Sequence, residues 1–163
     1  MGTADAASPL KEAQAQFIQG GVATTVASRN ADNVPSLGRA VGCFVTPDCR
    51  RVTVLLRRSQ CAALLDDIAR SGTVAVVCAQ PSTHHTLQIK STDAVVHAPE
   101  AVDAGAIARY VEAFHRELAP VGYTLDWTRA MLGYSPADLV AVSFTPQAIF
   151  SQTPGPRAGE RLA

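Results

Sequence analysis

Six short apolar runs, VATTVAS, SLGRAVGCFVT, RVTVLLR, TVAVVCA, TLQIKSTDAVVHA and DLVAVSFTPQAIFSQ, limit what this chain can fold into. Each is bounded by Gly, Pro, Asn, Asp or Ser turn residues and is rich in β-branched side chains, so each reads as a strand. Helical patterns fall between strands at only two places. A parallel sheet needs a crossover helix for each adjacent pair of strands. The fold class is therefore mainly β, an antiparallel sheet closed as a barrel with peripheral helices.

The helices have clear ends. Ser8-Pro9 opens the first, which is expected to run to Gln19 and stop at Gly20-Gly21. After RVTVLLR, the residues Cys61, Leu64, Leu65 and Ile68 recur at i, i+3, i+4 and i+7, giving a helix with one buried stripe that ends at Ser71-Gly72. Asp66 and Asp67 are expected on its wet side, with Asp66 pairing Arg70 at i, i+4. Pro99 introduces a longer helix with Ile107, Tyr110, Val111, Phe114 and Leu118 as its apolar stripe, and LDWTRAMLG forms a shorter one.

The 163 residues suit one domain, 1–163, with 1–7 and 153–163 as flexible or arm segments. Fourteen basic and fourteen acidic residues cancel with no basic block, which argues against nucleic acid or an anionic membrane as partner and favours an oligomer that hides surface. None of the four cysteines, Cys43, Cys49, Cys61 and Cys78, forms a CxxC pair, and three lie in apolar segments. They read as buried thiols in a reducing cytoplasm. The N-terminal stretch lacks the basic and apolar regions of a secretory signal, and no apolar run approaches the length of a membrane helix.

Three stretches could carry chemistry. In LLRRSQ, Ser59 stands as N-cap of the next helix beside Arg57 and Arg58, an arrangement suited to a phosphate, although a capped helix with two solvated arginines is the plainer reading. In THHTLQIKST, Gln88 and Lys90 share a strand face with Thr86 and Thr92; His84 and His85 face opposite ways with no third ligand nearby, so a metal site is not expected. Arg157 lies in the Pro/Gly-rich TPGPRAG arm. In SLGRAVGCFVT, Leu37, Arg39, Val41, Cys43 and Val45 alternate with Gly38, Ala40 and Gly42, so a flat body or a tight bend is expected on the small-residue side. GxGxxG, GxxxxGK[ST] and GxSxG are all missing, which removes two nucleotide-binding loops and one nucleophile motif.

In order and spacing, GVATTVAS, NVPSLGRAVGCFV, RVTVLLRRSQCAALLDDIARSGTVAVVCAQP, TLQIKS and VSFTPQAIFSQ resemble the flavin-binding split-barrel family typified by pyridoxamine 5'-phosphate oxidase, over residues 17–157. That resemblance implies a six-stranded antiparallel Greek-key split barrel and a homodimer with FMN at the interface. It implies an oxidoreductase acting on a small molecule. It further implies phosphate contacts from Arg39, Arg57, Arg58 and Ser59, ring contacts from Gln88 and Lys90 and from the backbone of Val41, Gly42, Cys43 and Phe44, and a role for Arg157 on the substrate or flavin side. The chain departs from the oxidase at Cys61-Ala62, where the family has a basic pair, and at PRAG, where the oxidase handles pyridoxal. Two alternatives follow: a dimeric binding module without flavin, or a haem- or deazaflavin-binding relative drawing on His84, His85, His97 or His115.

Overall fold

The computed structural model describes residues 10–99 and 104–163, so the Ser8-Pro9 helix opening lies outside the described residues. Helix α1 covers Glu12–Gln19, where the Gln14 side chain accepts from Lys11 N–H, and ends as Gly20 N–H bonds Phe17 O. Strands β1 (Ala23–Arg29), β2 (Pro35–Arg39), β3 (Gly42–Val45) and β4 (Val52–Arg57) follow, then α2 (Ala62–Ser71), β5 (Val74–Ala79), β6 (Thr86–Ser91) and β7 (Val95–His97). Helices α3 (Ala104–Leu118) and α4 (Leu125–Leu132) precede β8 (Leu139–Phe144) and β9 (Ala148–Ser151).

The nine strands among the described residues form two antiparallel sheets, ordered β2-β1-β5-β6-β9 and β3-β4-β8-β7. The six expected strands are all present, but three of them bend and pass from one sheet to the other, as strands do at the corners of orthogonally packed sheets. At the first corner, consecutive residues donate to different sheets: Ala40 N–H to Thr24 O at 3.0 Å and Val41 N–H to Leu55 O at 2.8 Å. The β6–β7 and β8–β9 corners lock together. Asp93 accepts from Thr145 N–H at 2.9 Å, and Gln147 Oε1 accepts from Thr92 N–H and Oγ1, each at 3.0 Å.

Alternation places Val26, Val76, Ile89 and Ile149 of one sheet against Val54, Leu56, Val142 and Phe144 of the other, all 0% exposed. α1 closes this core at one side with Ala15 and Ile18, and α2 at another with Leu64, Leu65 and Ile68. α3 covers the outer face of the four-stranded sheet, where Ile107 packs with Val41, Leu55, Leu139 and Ala141. Tyr110 Oη donates to Val22 O at 2.6 Å, and Glu117 accepts from Gln80 Nε2 at 3.0 Å, which ties α3 to the other sheet as well.

Two surface expectations are corrected. Asp67, not Asp66, pairs with Arg70, at 2.9 Å, and it is buried because it also accepts from Ser36 Oγ at 2.7 Å on β2. The tail is not a free arm: Gly159 and Glu160 exchange hydrogen bonds with Ser151, and Leu162 N–H donates to Ile149 O at 2.7 Å, so the chain end pairs with β9.

Asp93 makes the locked corners pH-dependent. Partial burial raises its pKa, but hydrogen bonds from Thr145 and Ser91 and the charge of Arg51 outweigh that and hold it below the ordinary aspartate value. A depressed folded pKa contributes stability that is present above the unfolded pKa and lost as pH falls through the folded one. Asp93→Asn is expected to melt a few degrees lower at neutral pH and to converge with the parent protein in acid. Parallel slopes of melting temperature against pH for the two proteins would contradict this.

Candidate functional site

All the sequence candidates but Arg157 fall in three places. At the end of β4, the chain turns through a 3-10 segment, Arg58–Gln60, before α2. Arg57 Nη1 donates to Met131 O at 3.2 Å and Gly133 O at 2.9 Å, the carbonyls left unpaired at the end of α4. Ser59 is not the N-cap of α2, a position held by Cys61; its N–H and hydroxyl donate to Asp138 at 2.8 and 2.6 Å. Those bonds, with Arg57 and Arg58 nearby, keep the Asp138 carboxyl below the usual range. LLRRSQ is thus the dock for α4 and for the segment leading into β8. Only Arg58 among its charged groups is exposed.

The second place is the first corner. Val41, Gly42 and Cys43 are buried, and Phe44 is half-buried. The small residues Gly38 and Ala40 face inward: a Cβ on Gly38 would lie 2.4 Å from Cys61 Sγ, and Ala40 is 0% exposed. α2 and the bend itself fill the small-residue side of this strand. Burial also raises the thiols of Cys43 and Cys61 and pushes Cys78 up to about 12, so these sulfurs stay protonated and unreactive near neutral pH.

The third place is the outer face of the five-stranded sheet. The register lines up Arg39, Thr25, Val77, Gln88 and Phe150 in one cross-strand row. The next row is Leu37, Ala27, Ala75, Lys90 and Ala148. Three strand spacings put Arg39 and Gln88 about 14 Å apart along the first row. Thr25 and Val77 lie between them, half-buried, so the row has a charged donor, a flat middle and an amide. Gln88 Oε1 accepts from Gln152 Nε2 at 3.2 Å, and the Lys90 ammonium stands 4.8 Å from the centre of the Phe150 ring. Along α3, Tyr110, Phe114 and Leu118 cluster with Ala23 at the start of β1, and Tyr110 lies near enough to Arg39 to feel its charge. Leu37 is 67% exposed at its margin.

Arg157 lies apart from all three. It forms a two-pronged ion pair with Glu160, at 2.5 and 3.0 Å, across the hairpin that returns the chain to β9. Sequence reasoning passed over Thr25, Val77, Phe150 and Arg161, the last bridged to Phe150. Their alternation was readable, but the order of the strands that aligns them was not.

No protein-family model matches this sequence, and no curated protein matches it. Solved structures do. A candidate pyridoxamine 5'-phosphate oxidase of Lactobacillus delbrueckii matches 92% of this chain and 99% of its own, with a TM-score of 0.53 and 18% identity. The chain has the split-barrel fold of the pyridoxamine 5'-phosphate oxidase relatives. HupZ of Group A Streptococcus shares it at a TM-score of 0.53 and 13% identity over 91% of this chain and 99% of its own. So does an F420 reductase, at 0.53 and 14% over 82% and 93%.

Proposed function

We propose that this split barrel binds FMN on the outer face of its five-stranded sheet and acts as a flavin-dependent oxidoreductase on a small-molecule substrate. The observation that carries this reading is the row from Arg39 to Gln88, a flat middle bracketed by a phosphate-binding side chain and a side chain that both donates and accepts. Arg39 would take the phosphate and Gln88 the polar edge of the ring, with Lys90 at its flank favouring negative charge on a reduced flavin. Bound there, FMN supplies transfer of hydride or electrons between the substrate and a second acceptor. The chain's part is to hold the ring flat and to exclude water from one face. At LLRRSQ the Asp138 carboxylate takes the Ser59 donors and α4 takes Arg57 Nη1, leaving the buried Arg57 Nε and the exposed Arg58 as its free donors, so Arg39 is the better-placed candidate for the phosphate.

A second copy of the chain is the proposed cover for this face. Leu37, Ala27, Ala75, Val77, Ala148 and Phe150 leave it largely apolar, and one neutral chain meets another without net repulsion. An F420-type deazaflavin is the second reading, suggested by the likeness to an F420 reductase.

The test is an absorbance spectrum of the purified protein before and after FMN loading and gel filtration. Flavin bands should stay with a dimer-sized peak, and Arg39→Ala should weaken retention by at least about tenfold, the worth of a charge-assisted hydrogen bond. Arg57→Ala should instead lower the melting temperature and leave retention intact. A colourless protein after loading overturns the FMN reading, and retention of F420 by that same protein would establish the deazaflavin one.

A further inference from the structure

A cavity of about 470 Å³ opens on the same face of the sheet, at the end next to the β1–β2 turn. Its volume falls within the range of small-molecule sites. Its floor is Ala27 and Ala75, neighbours in the cross-strand row and short enough for a flat body to lie against the sheet; Lys90 comes next in that row, ahead of Ala148. Arg29 and Asn33 line the cavity at its β1–β2 end, Lys90 and Gln147 at its β6–β9 end.

What sets this cavity apart is the polarity of its rim. Asn33 Oδ1 already accepts from Arg29 Nη1, and Gln147 Oε1 already accepts from Thr92, so the NH2 groups are what these two lining amides have left to offer. Arginine and lysine can only donate. None of the described residues that line the cavity is acidic, and Lys90 has the Phe150 ring, not a carboxylate, as its partner. Four donors over an apolar floor, with the acceptors of both amides engaged, match a ligand that brings its own acceptors.

We propose that this cavity binds a small organic anion, a flat apolar body carrying a single oxyanion such as a carboxylate. The oxyanion lies at the Arg29–Asn33 end, and the apolar body rests on Ala27 and Ala75. Gln147 offers a second donor at the far end. Arg29, Asn33 and Gln147 take no part in the flavin row, whereas Lys90, Ala27, Ala75 and Ala148 belong to the face proposed for FMN and a second copy, so the inference rests on that face staying open at its β1–β2 end.

The experiment is an amide correlation NMR titration of the purified protein, without added flavin, using 2-naphthoate and its neutral counterpart 2-naphthamide. Naphthoate should shift the amides of Ala27, Ala75 and Ala148 and bind at least about tenfold tighter than the amide, the margin of one charge-assisted hydrogen bond. Arg29→Gln, a change at an exposed strand end, should remove that margin while shifting only amides of the β1–β2 turn, where Arg29 bonds Asn33. Ala75→Leu should fill the floor and abolish binding of both probes. Equal affinity for the two probes, shifts lying away from the alanine floor, or no shift at all would each overturn the proposal. Naphthoate binding by a protein that rejects FMN would sink the flavin reading alone.

Discussion

Gly21→Ala is expected to destabilise the protein by about 4 kcal/mol, from backbone strain and overpacking together. Gly21 sits between α1 and β1 at φ 82°, in the left-handed region where a side chain is strained. The added Cβ would lie 2.3 Å from the carbonyl carbon of Ala113 and 2.4 Å from Phe114 N, both backbone atoms of α3. A backbone cannot rotate away as a side-chain tip can, so α3 must shift as a body. That shift would pull Tyr110 from Val22 and loosen the cover over Val41 and Leu55. Thermal unfolding at fixed protein concentration measures the effect; for a chain of this size about 4 kcal/mol is roughly a 10 °C loss. A melting temperature within two or three degrees of the parent, about 1 kcal/mol by the same scaling, would mean that α3 is not anchored there.

Phe144→Ala should cost about 3–5 kcal/mol, the range for deleting a buried aromatic ring. Phe144 is 0% exposed at the end of β8, opposite Val52, immediately before the corner that turns the chain into β9. Its ring fills the space between the two sheets where they close on each other, so the cavity left behind cannot be collapsed without moving both. Urea unfolding should show a lower midpoint with an unchanged slope. Phe144→Leu, which keeps most of the volume, should recover most of the loss; equal destabilisation by the two variants would place the ring's contribution outside the core.

Phe144 lies in the core, apart from the proposed flavin row, and that separation matters to the functional tests; Tyr110, which Gly21→Ala would move, lies near Arg39. The outer face of the five-stranded sheet rests on a core held by α1, α2 and Phe144, while its own side chains are half-buried or exposed. Changes at Arg39, Gln88 or Arg29 therefore alter what the face can bind without entering the packing beneath it. Arg57 is the opposite case: it appears in the sequence as a binding residue, yet it acts as a support for α4.

The sequence by itself determined the six strands, the stripe of α2 and the places where α1 and α2 stop, because alternation, helical spacing and the Gly20 and Gly72 ends are local signals. It also placed Gln88 and Lys90 on one strand face. Only the tertiary structure decided the rest. Three strands change sheet at corners set by hydrogen bonds between distant residues, Asp93 to Thr145 and Gln147 to Thr92, which no local pattern encodes. Gly38 and Ala40 signalled a close approach, but whether a cofactor or α2 made it depended on how the helix returned to the sheet. Arg57 and Ser59 were legible as donors, while their acceptors, Met131, Gly133 and Asp138, lie more than seventy residues away. A donor announces itself in sequence; its acceptor is chosen by the fold, and here the fold gave LLRRSQ to the protein's own chain and left Arg39 and Gln88 on an open face.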